Sequence, residues 1–227
     1  MSESIDYFSK QHPLRRTATK ISLRAREKMF ARFAEVVPFD EHTRVVDIGV
    51  TPDRELADSN FFERLYPYPE RLTATSIEDA SFLEAQHPGL RFVRTSGSTL
   101  PFADGEFDVA FSSAVLEHVG DRAAQRQFVH EVCRVADHFY LTTPNRWFPV
   151  EVHTFIPLIH WLPQRRHQAI LRRLGKDFWA ETANLNLLGA RELLDLFPPH
   201  AEVTLTRHRT LGWCSNLVVH GRSNRAR

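Results

Sequence analysis

Cysteine is nearly absent: Cys133 and Cys214 are the only two among 227 residues, they lie far apart, and neither belongs to a C-x-x-C pair. That excludes a disulfide framework and a zinc ribbon, and leaves a buried thiol at each place. No stretch approaches 18 uninterrupted apolar residues, and the opening MSESIDYFSKQHPLRR has no apolar core followed by a small-residue cleavage site. A cytoplasmic protein without membrane insertion is the expectation. An excess of one charge is missing too: 29 basic against 28 acidic residues give a net charge of +1. Nothing global therefore calls for nucleic acid or an anionic membrane, and any electrostatic preference is local. There is no internal repeat, no low-complexity tract and no Gly/Ser-rich linker to divide the chain. Glycine is scarce where it matters: VVDIGVTPD, from Val45 to Asp53, reads as a buried strand running into a turn for a small ligand, yet holds a single glycine.

What is present suffices for one α/β domain with embellishments, since 42% of the residues are hydrophobic and 11% aromatic. Residues 14–37 space Ile21, Ala25, Met29 and Phe33 by four, with basic residues on much of the remaining face, which predicts an amphipathic helix ending at Pro38. Strand character follows at 44–49, 71–77, 90–95, 107–113 and 138–145, separated by polar or helical sequence, notably AVLEHVGDRAAQRQFVHEVCRVA. Strands alternating with helices predict a parallel sheet covered on both faces, with its ligand crevice at the carboxyl ends of the strands. After the fifth strand the pattern breaks. Residues 146–187 carry Trp147, Trp161 and Trp179, several prolines and the basic run QRRHQAILRRLGK, which reads as an inserted helical cap. The order resumes with the helix LLGARELLDLF and the strands EVTLTRHR and SNLVVHGR, whose short Gly-containing connection makes them an antiparallel hairpin. The expected layout is an N-terminal helical lid over 1–40, which folds over the crevice or coats the sheet, and a domain over 41–227 with the cap inserted at about 146–187.

This order of elements, with VVDIG, LPFADGEFDVAFSSAVLEHV and TTPN, resembles the class I S-adenosylmethionine-dependent methyltransferases, particularly their small bacterial members. The likeness covers residues 40–145, and the last 40 or so by order of elements; LPFADGEFDVAFSSAVLEHV is its most specific part. It implies a Rossmann-like, seven-stranded, mostly parallel sheet with helices on both faces and a C-terminal antiparallel hairpin, and it implies S-adenosylmethionine as cofactor. By that resemblance Asp47 stands near the cofactor's ammonium and Gly49 opens the turn against its methionine part. Ser76 or Glu78 meets the ribose, Ser96, Gly97 and Ser98 stand where the family places an adenine-side acid, and Ser113 joins the same cofactor set. The sequence departs from the family where two further glycines are usual, having Val50, Thr51, Pro52 and Asp53 instead. NAD fits worse: a pyrophosphate wants G-x-G-x-x-G, and here the loop brings Asp53, Glu55 and Asp58 where phosphates would repel them.

Methyl transfer at an activated carbon needs alignment of donor and nucleophile and only sometimes a proton acceptor. Candidates follow strands four and five. His153 and His118 have ordinary pKa values suited to base work near neutrality, the alternative for each being a hydrogen-bonded structural histidine. Asn145, Arg146, Trp147 and Phe155 are the substrate-side candidates, and the cap's other aromatic and arginine residues either line an acceptor pocket or build the cap's own core and solvated face. A methyltransferase subgroup holds a divalent cation on an E-x-x-E-H run plus a later histidine; here the first acid is Ala114, which leaves Glu117, His118 and His153. The expectation is no metal, with that trio as the ligand set if there is one. The activity expected is biosynthetic methyl transfer to an oxygen or nitrogen of a small-molecule or glycosyl acceptor. The alternative, motivated by the missing glycines and acids, is a degenerate cofactor-binding module that regulates a partner protein.

Overall fold

β-Branched and aromatic residues alternate along the predicted strands, and in the computed structural model this alternation separates two cores. Residues 15–54 and 59–224 are described, with side chains from residue 23. The strands are β1 (Val45–Ile48), β2 (Leu72–Ser76), β3 (Arg91–Arg94), β4 (Phe107–Ser113), β5 (Ala136–Pro144), β6 (Glu202–Thr210) and β7 (Trp213–Arg222). They form one sheet in the order β3-β2-β1-β4-β5-β7-β6. The first five run parallel, and β7 is antiparallel to both β5 and β6. The helices are α1 (Arg15–Val36), α2 (Phe61–Leu65), α3 (Phe82–Gln86), α4 (Arg122–Val135), α5 (Gln164–Arg173) and α6 (Ala190–Leu194).

Val45, Val109, Phe111, Tyr140 and Val218 point to the face covered by α1, α2 and α3, while Val46, Ile48, Ala110, Phe139, Leu141, Leu217 and Val219 point to the face covered by α4 and α6. The predicted mostly parallel sheet, sandwiched by helices and closed by a hairpin, is therefore the fold found. The hairpin turn is Leu211–Gly212, both left-handed (φ 52° and 84°), as a two-residue turn between right-twisted strands requires.

Helix α1 lies on the sheet through the predicted stripe: Met29 and Phe33 are buried, whereas the side chain of Ile21 and residues 1–14 lie outside the described residues. Phe33 sits edge-on to Phe62, Phe111 and Tyr140 at 5.2–5.7 Å, and the Tyr140 hydroxyl donates to the Met29 carbonyl at 2.9 Å.

Two helices are shorter than their sequence pattern. The helix expected from Ala114 begins only at Arg122, because Gly120 takes φ 110° and Asp121 caps the new helix by accepting from the Ala124 amide. The stretch before it contains a tight 3₁₀ turn, Leu116–His118. Helix α6 begins at Ala190 because Leu188 is already paired with Asn145 and Glu192 accepts from the Gly189 amide. Between β5 and α6, residues 146–187 hold α5 and two 3₁₀ turns around His160, His167, Leu171 and Ala180, all buried. Arg165, Arg166, Arg172 and Arg173 face outward, Arg172 pairing with Glu181 at 3.0 Å.

Truncating the ring that ties α1 to the sheet tests this packing. Phe33→Ala is expected to cost about 3–5 kcal/mol, as for other fully buried aromatic residues, read as a lowered urea midpoint at unchanged slope.

Candidate active site

The carboxyl ends of β1, β2 and β4, the loop after β3 and the start of α2 enclose a cleft of about 760 Å³. Its wall includes Asp47, Gly49, Ser76, Glu78, Ser96, Gly97, Ser98 and Ser113, the whole cofactor set expected from the sequence, together with His118 and His153.

The glycine-poor loop needs its one glycine at one place. Gly49 has φ 103°, and a Cβ there would stand 2.2 Å from the Val115 Cγ2. None of the four residues that follow takes a positive φ, so side chains are tolerated at all of them. The Gly49 and Val50 amides both donate to the Thr75 carbonyl of β2, at 2.8 and 3.0 Å. Beyond them, the Asn60 side chain accepts from the Thr51 amide and donates to the Thr51 carbonyl, both at 2.9 Å. A side-chain amide thus replaces a ladder of glycines in fixing the loop.

Asp47 ends β1 and Glu63 lies in the first turn of α2; both are buried, 6% and 2% exposed, and both face the cleft. Burial raises the pKa of each; the neighbouring carboxyl of Glu63 raises Asp47 further, while a hydrogen bond to Asp47 partly offsets the rise at Glu63. Apart from Asp47, no hydrogen-bond partner reaches Glu63 Oε1 or Oε2 among the described residues. Along the cleft, Ser76 Oγ accepts from the Glu78 amide at 3.2 Å, and Ser96 and Ser98 share a hydroxyl contact at 3.1 Å. Gly97 is pressed on Phe128, where a Cβ would come within 2.5 Å.

At the opposite end His118 and His153 meet edge to face, 4.8 Å between ring centres, and Trp179 packs on His153 at 4.9 Å. His118 Nδ1 donates to the Asn184 carbonyl at 2.7 Å, and burial, with His153 beside it, pushes its pKa down to about 3. His153 Nδ1 meets Glu151 Oε1 at 2.6 Å. Glu151 also accepts from the His153 amide and, at Oε2, from the Thr154 amide and hydroxyl. Burial alone would raise Glu151, but His153 and these donors bring it down to about 2. Burial alone would lower His153, and Glu151, with Glu117 beyond it, outweighs that and raises it. Glu117 is fully buried, which pushes its carboxyl up to about 7; Oε2 accepts from Thr143 Oγ1 at 2.9 Å, and Oε1, 3.9 Å from His118 Nε2, has no hydrogen-bond partner among the described residues. One ligand atom from each of Glu117, His118 and His153 lies within 4.8 Å of the others.

The four substrate-side candidates are not on the cleft wall. Asn145 is spent on β7, donating to the Cys214 carbonyl at 3.0 Å, and Arg146 donates to the Leu162 carbonyl at 3.2 Å. Trp147 is half exposed and leans on Trp161 at 6.3 Å, while Phe155 occupies a left-handed turn (φ 58°) in the cap. Sequence reasoning missed Glu63, the pairing of Glu151 and Trp179. The E-x-H spacing at 151–153 was a visible signal for the second, and an acid flanked by Phe61, Phe62 and Tyr66 was one for the first.

Residues 58–138 match the family model described as a methyltransferase domain. A 37-residue stretch is 60% identical to an uncharacterized methyltransferase of Mycobacterium sp. (strain JLS), covering 16% of this chain and 15% of that protein. The chain thus matches only a small part of the length of that relative. Among solved structures, a possible histamine N-methyltransferase of Thermotoga maritima aligns with TM-score 0.52 at 16% identity over 92% of this chain and 91% of that one. A Pyrococcus horikoshii OT3 protein aligns with TM-score 0.56 at 13% identity over 96% and 95%. The N-methyltransferase NodS of Bradyrhizobium japonicum, crystallised with S-adenosyl-L-homocysteine, aligns with TM-score 0.50 at 14% identity over 94% and 89%. At such identities the likeness shows the fold. Strand order, cleft and matched domain together define a methyltransferase-type α/β protein. The segment 58–138 is the part that carries the methyltransferase domain, and the fold around it is the one these S-adenosylmethionine-dependent methyltransferase structures share. The cleft fits S-adenosylmethionine, a cationic cofactor, by its acidic lining: among the described residues the buried Glu63 side-chain oxygens meet no donor apart from Asp47, and Glu78 follows β2 on the same wall.

Gly49→Ala combines a disfavoured φ with the Val115 contact. It is expected to lower stability by about 1–3 kcal/mol and to weaken S-adenosylhomocysteine binding at least tenfold, read by thermal melting and calorimetry.

Proposed function

We propose that the protein transfers a methyl group from S-adenosylmethionine to an oxygen or nitrogen of a small molecule or glycosyl conjugate. The observation that carries this is the meeting, in one cleft, of Asp47, Gly49 and Ser113 with His153, whose ring Glu151 holds from behind. Bound, the cofactor supplies an electrophilic methyl carbon; the protein's own task is alignment and handling of a proton. Asp47 would hold the amino-acid end, Ser76 and Glu78 the ribose, and Ser96, Gly97 and Ser98 would border the base. Glu151 fixes the His153 ring through Nδ1, so a proton from the acceptor would arrive at Nε2, and the carboxylate would stabilise the imidazolium that forms. His118, held neutral, would border the acceptor without donating a proton. A volume of about 760 Å³ lies in the usual range for small-molecule sites, which supports a small acceptor.

A second reading is favoured by one observation. Both histidines have Nδ1 occupied, by Asn184 and Glu151, and one ligand atom from each of Glu117, His118 and His153 lies within 4.8 Å of the others, the arrangement in which two Nε2 atoms and a carboxylate oxygen hold a divalent cation. His153 would then be a ligand and not a base.

Calorimetry with S-adenosylmethionine tests the enzyme reading. Micromolar binding is expected, and no binding at millimolar levels would instead favour the non-catalytic regulatory module. His153→Ala is expected to leave binding within about twofold while lowering turnover by about 10²–10⁴, the usual weight of proton transfer; undiminished turnover would end its catalytic assignment. Equal rates with added Mg²⁺ or Mn²⁺ and with chelator are expected of the base mechanism, whereas a rate restored by metal alone establishes the cation.

A further inference from the structure

We infer that Asp47 and Glu63 act as a single ammonium-recognition site, in which the ligand's ammonium displaces a proton shared by the two carboxyls and binding releases that proton to solvent. This rests on the cofactor reading above and adds a partner, Glu63, and a proton exchange to it.

The geometry is that of two buried carboxyls that meet no other hydrogen-bond partner among the described residues. Asp47 stands at the carboxyl end of β1 and Glu63 on α2, both almost wholly buried and both on the cleft wall. Around them lie Phe61, Phe62 and Phe111, the last two stacked at 4.0 Å, so water is scarce and the medium is poorly polarisable. Ionised carboxylates only accept hydrogen bonds, so two in contact hold together only when one carries a proton. Glu63 is in such contact with Asp47, and no other donor meets its side-chain oxygens among the described residues.

The remaining charged groups around the cleft come from every neighbouring element. Arg26 of α1 borders it, over the Phe61 ring at 5.3 Å, and Arg54 of the loop lies over Phe82 at 4.3 Å. Asp53 and Glu78 add negative charge from the loop and from beyond β2, His118 faces them from the far end, and Arg64 points outward from α2. Among the described residues no hydrogen bond or ion pair joins these groups to Asp47 or Glu63, and Arg64 acts on Glu63 only through its charge.

Charge conservation explains the exchange. A carboxyl pair sharing one proton carries one net negative charge. Two carboxylates around one ammonium carry the same, so the buried charge is unchanged while the three N–H donors of the ammonium meet lone pairs that previously had one proton between them. A neutral ligand end gains nothing from the exchange, and that makes the pair a selector for the amino group.

The probe is S-adenosylhomocysteine, titrated into the full chain at pH 7 in phosphate and in Tris, whose ionisation heats differ. The difference between observed enthalpies counts protons. Release of close to one proton per bound ligand is expected, and 5′-methylthioadenosine, which lacks the ammonium, is expected to release none. Glu63→Gln, whose amide donates to Asp47 and leaves it ionised, is expected to bind about tenfold or more weakly with release near zero. Tight binding with no proton released, or equal release from both ligands, overturns this inference and leaves the cofactor reading standing. Absence of binding by either ligand overturns both. The two-ligand comparison uses the unaltered protein, so it decides even if the variant does not fold.

Discussion

Parallel neighbours cannot be joined by tight turns, and that constraint organises this molecule. β1 has β2 on one side and β4 on the other, both parallel to it, so the chain must leave and re-enter the sheet by crossovers. With α1, α2 and α3 on one face and α4 and α6 on the other, both faces are sealed by apolar side chains. Polar groups of the strands can then reach a ligand only at the strand ends, and the end where β1 and β4 part company is where the cleft opens. The turn after β1 must slip under the turn after β4, close enough that Gly49 touches Val115. A single glycine is demanded there by contact and by φ, and the rest of the loop is free to be Val-Thr-Pro-Asp because Asn60 ties it down.

That division explains what was legible in the sequence. Strand alternation is a local signal written into each segment, so the sheet, its two faces and the hairpin could be read directly, and with them the strand-end residues Asp47, Gly49, Ser76, Ser96 and Ser113. Features that depend on where distant segments return were not legible. Trp179 reaches His153 only because the cap folds back, and Asn184 and Asn186 from the end of that cap stitch the Glu117–Gly120 turn through His118 and the Glu117 amide-plane carbonyl. Asn145, Arg146, Trp147 and Phe155 follow a strand end just as the true wall residues do, yet the first is consumed by β7 and the others by the cap. Glu63 was illegible for a different reason. A lone acid in an amphipathic pattern ordinarily faces water, and only its placement against Asp47 reverses that expectation.

The same cleft thus contains two buried polar clusters in opposite electrostatic regimes. At one end two carboxyls are set together with no hydrogen-bonded cation among the described residues, and burial favours their protonated forms. At the other, Glu151 is ionised against His153 and satisfied by four hydrogen bonds, while burial keeps Glu117 ready to hold a proton and His118 neutral. The first end sets two acidic side chains together, with Arg26 and Arg54 elsewhere on the same wall, and the second contains the Glu151–His153 ion pair. Between them Ser113 leads into Ala114, a non-glycine residue at φ 58° whose amide donates a hydrogen bond to the Thr142 carbonyl at 2.9 Å. A left-handed alanine is strained and persists only where its surroundings dictate it. Here the dictating contact comes from β5, the strand that also leads to Glu151 and His153. The turn between the Asp47–Glu63 cluster and the Glu151–His153 cluster is therefore fixed by the element that leads to the second of them, and the spacing between the two clusters is set by the register of β4 on β5.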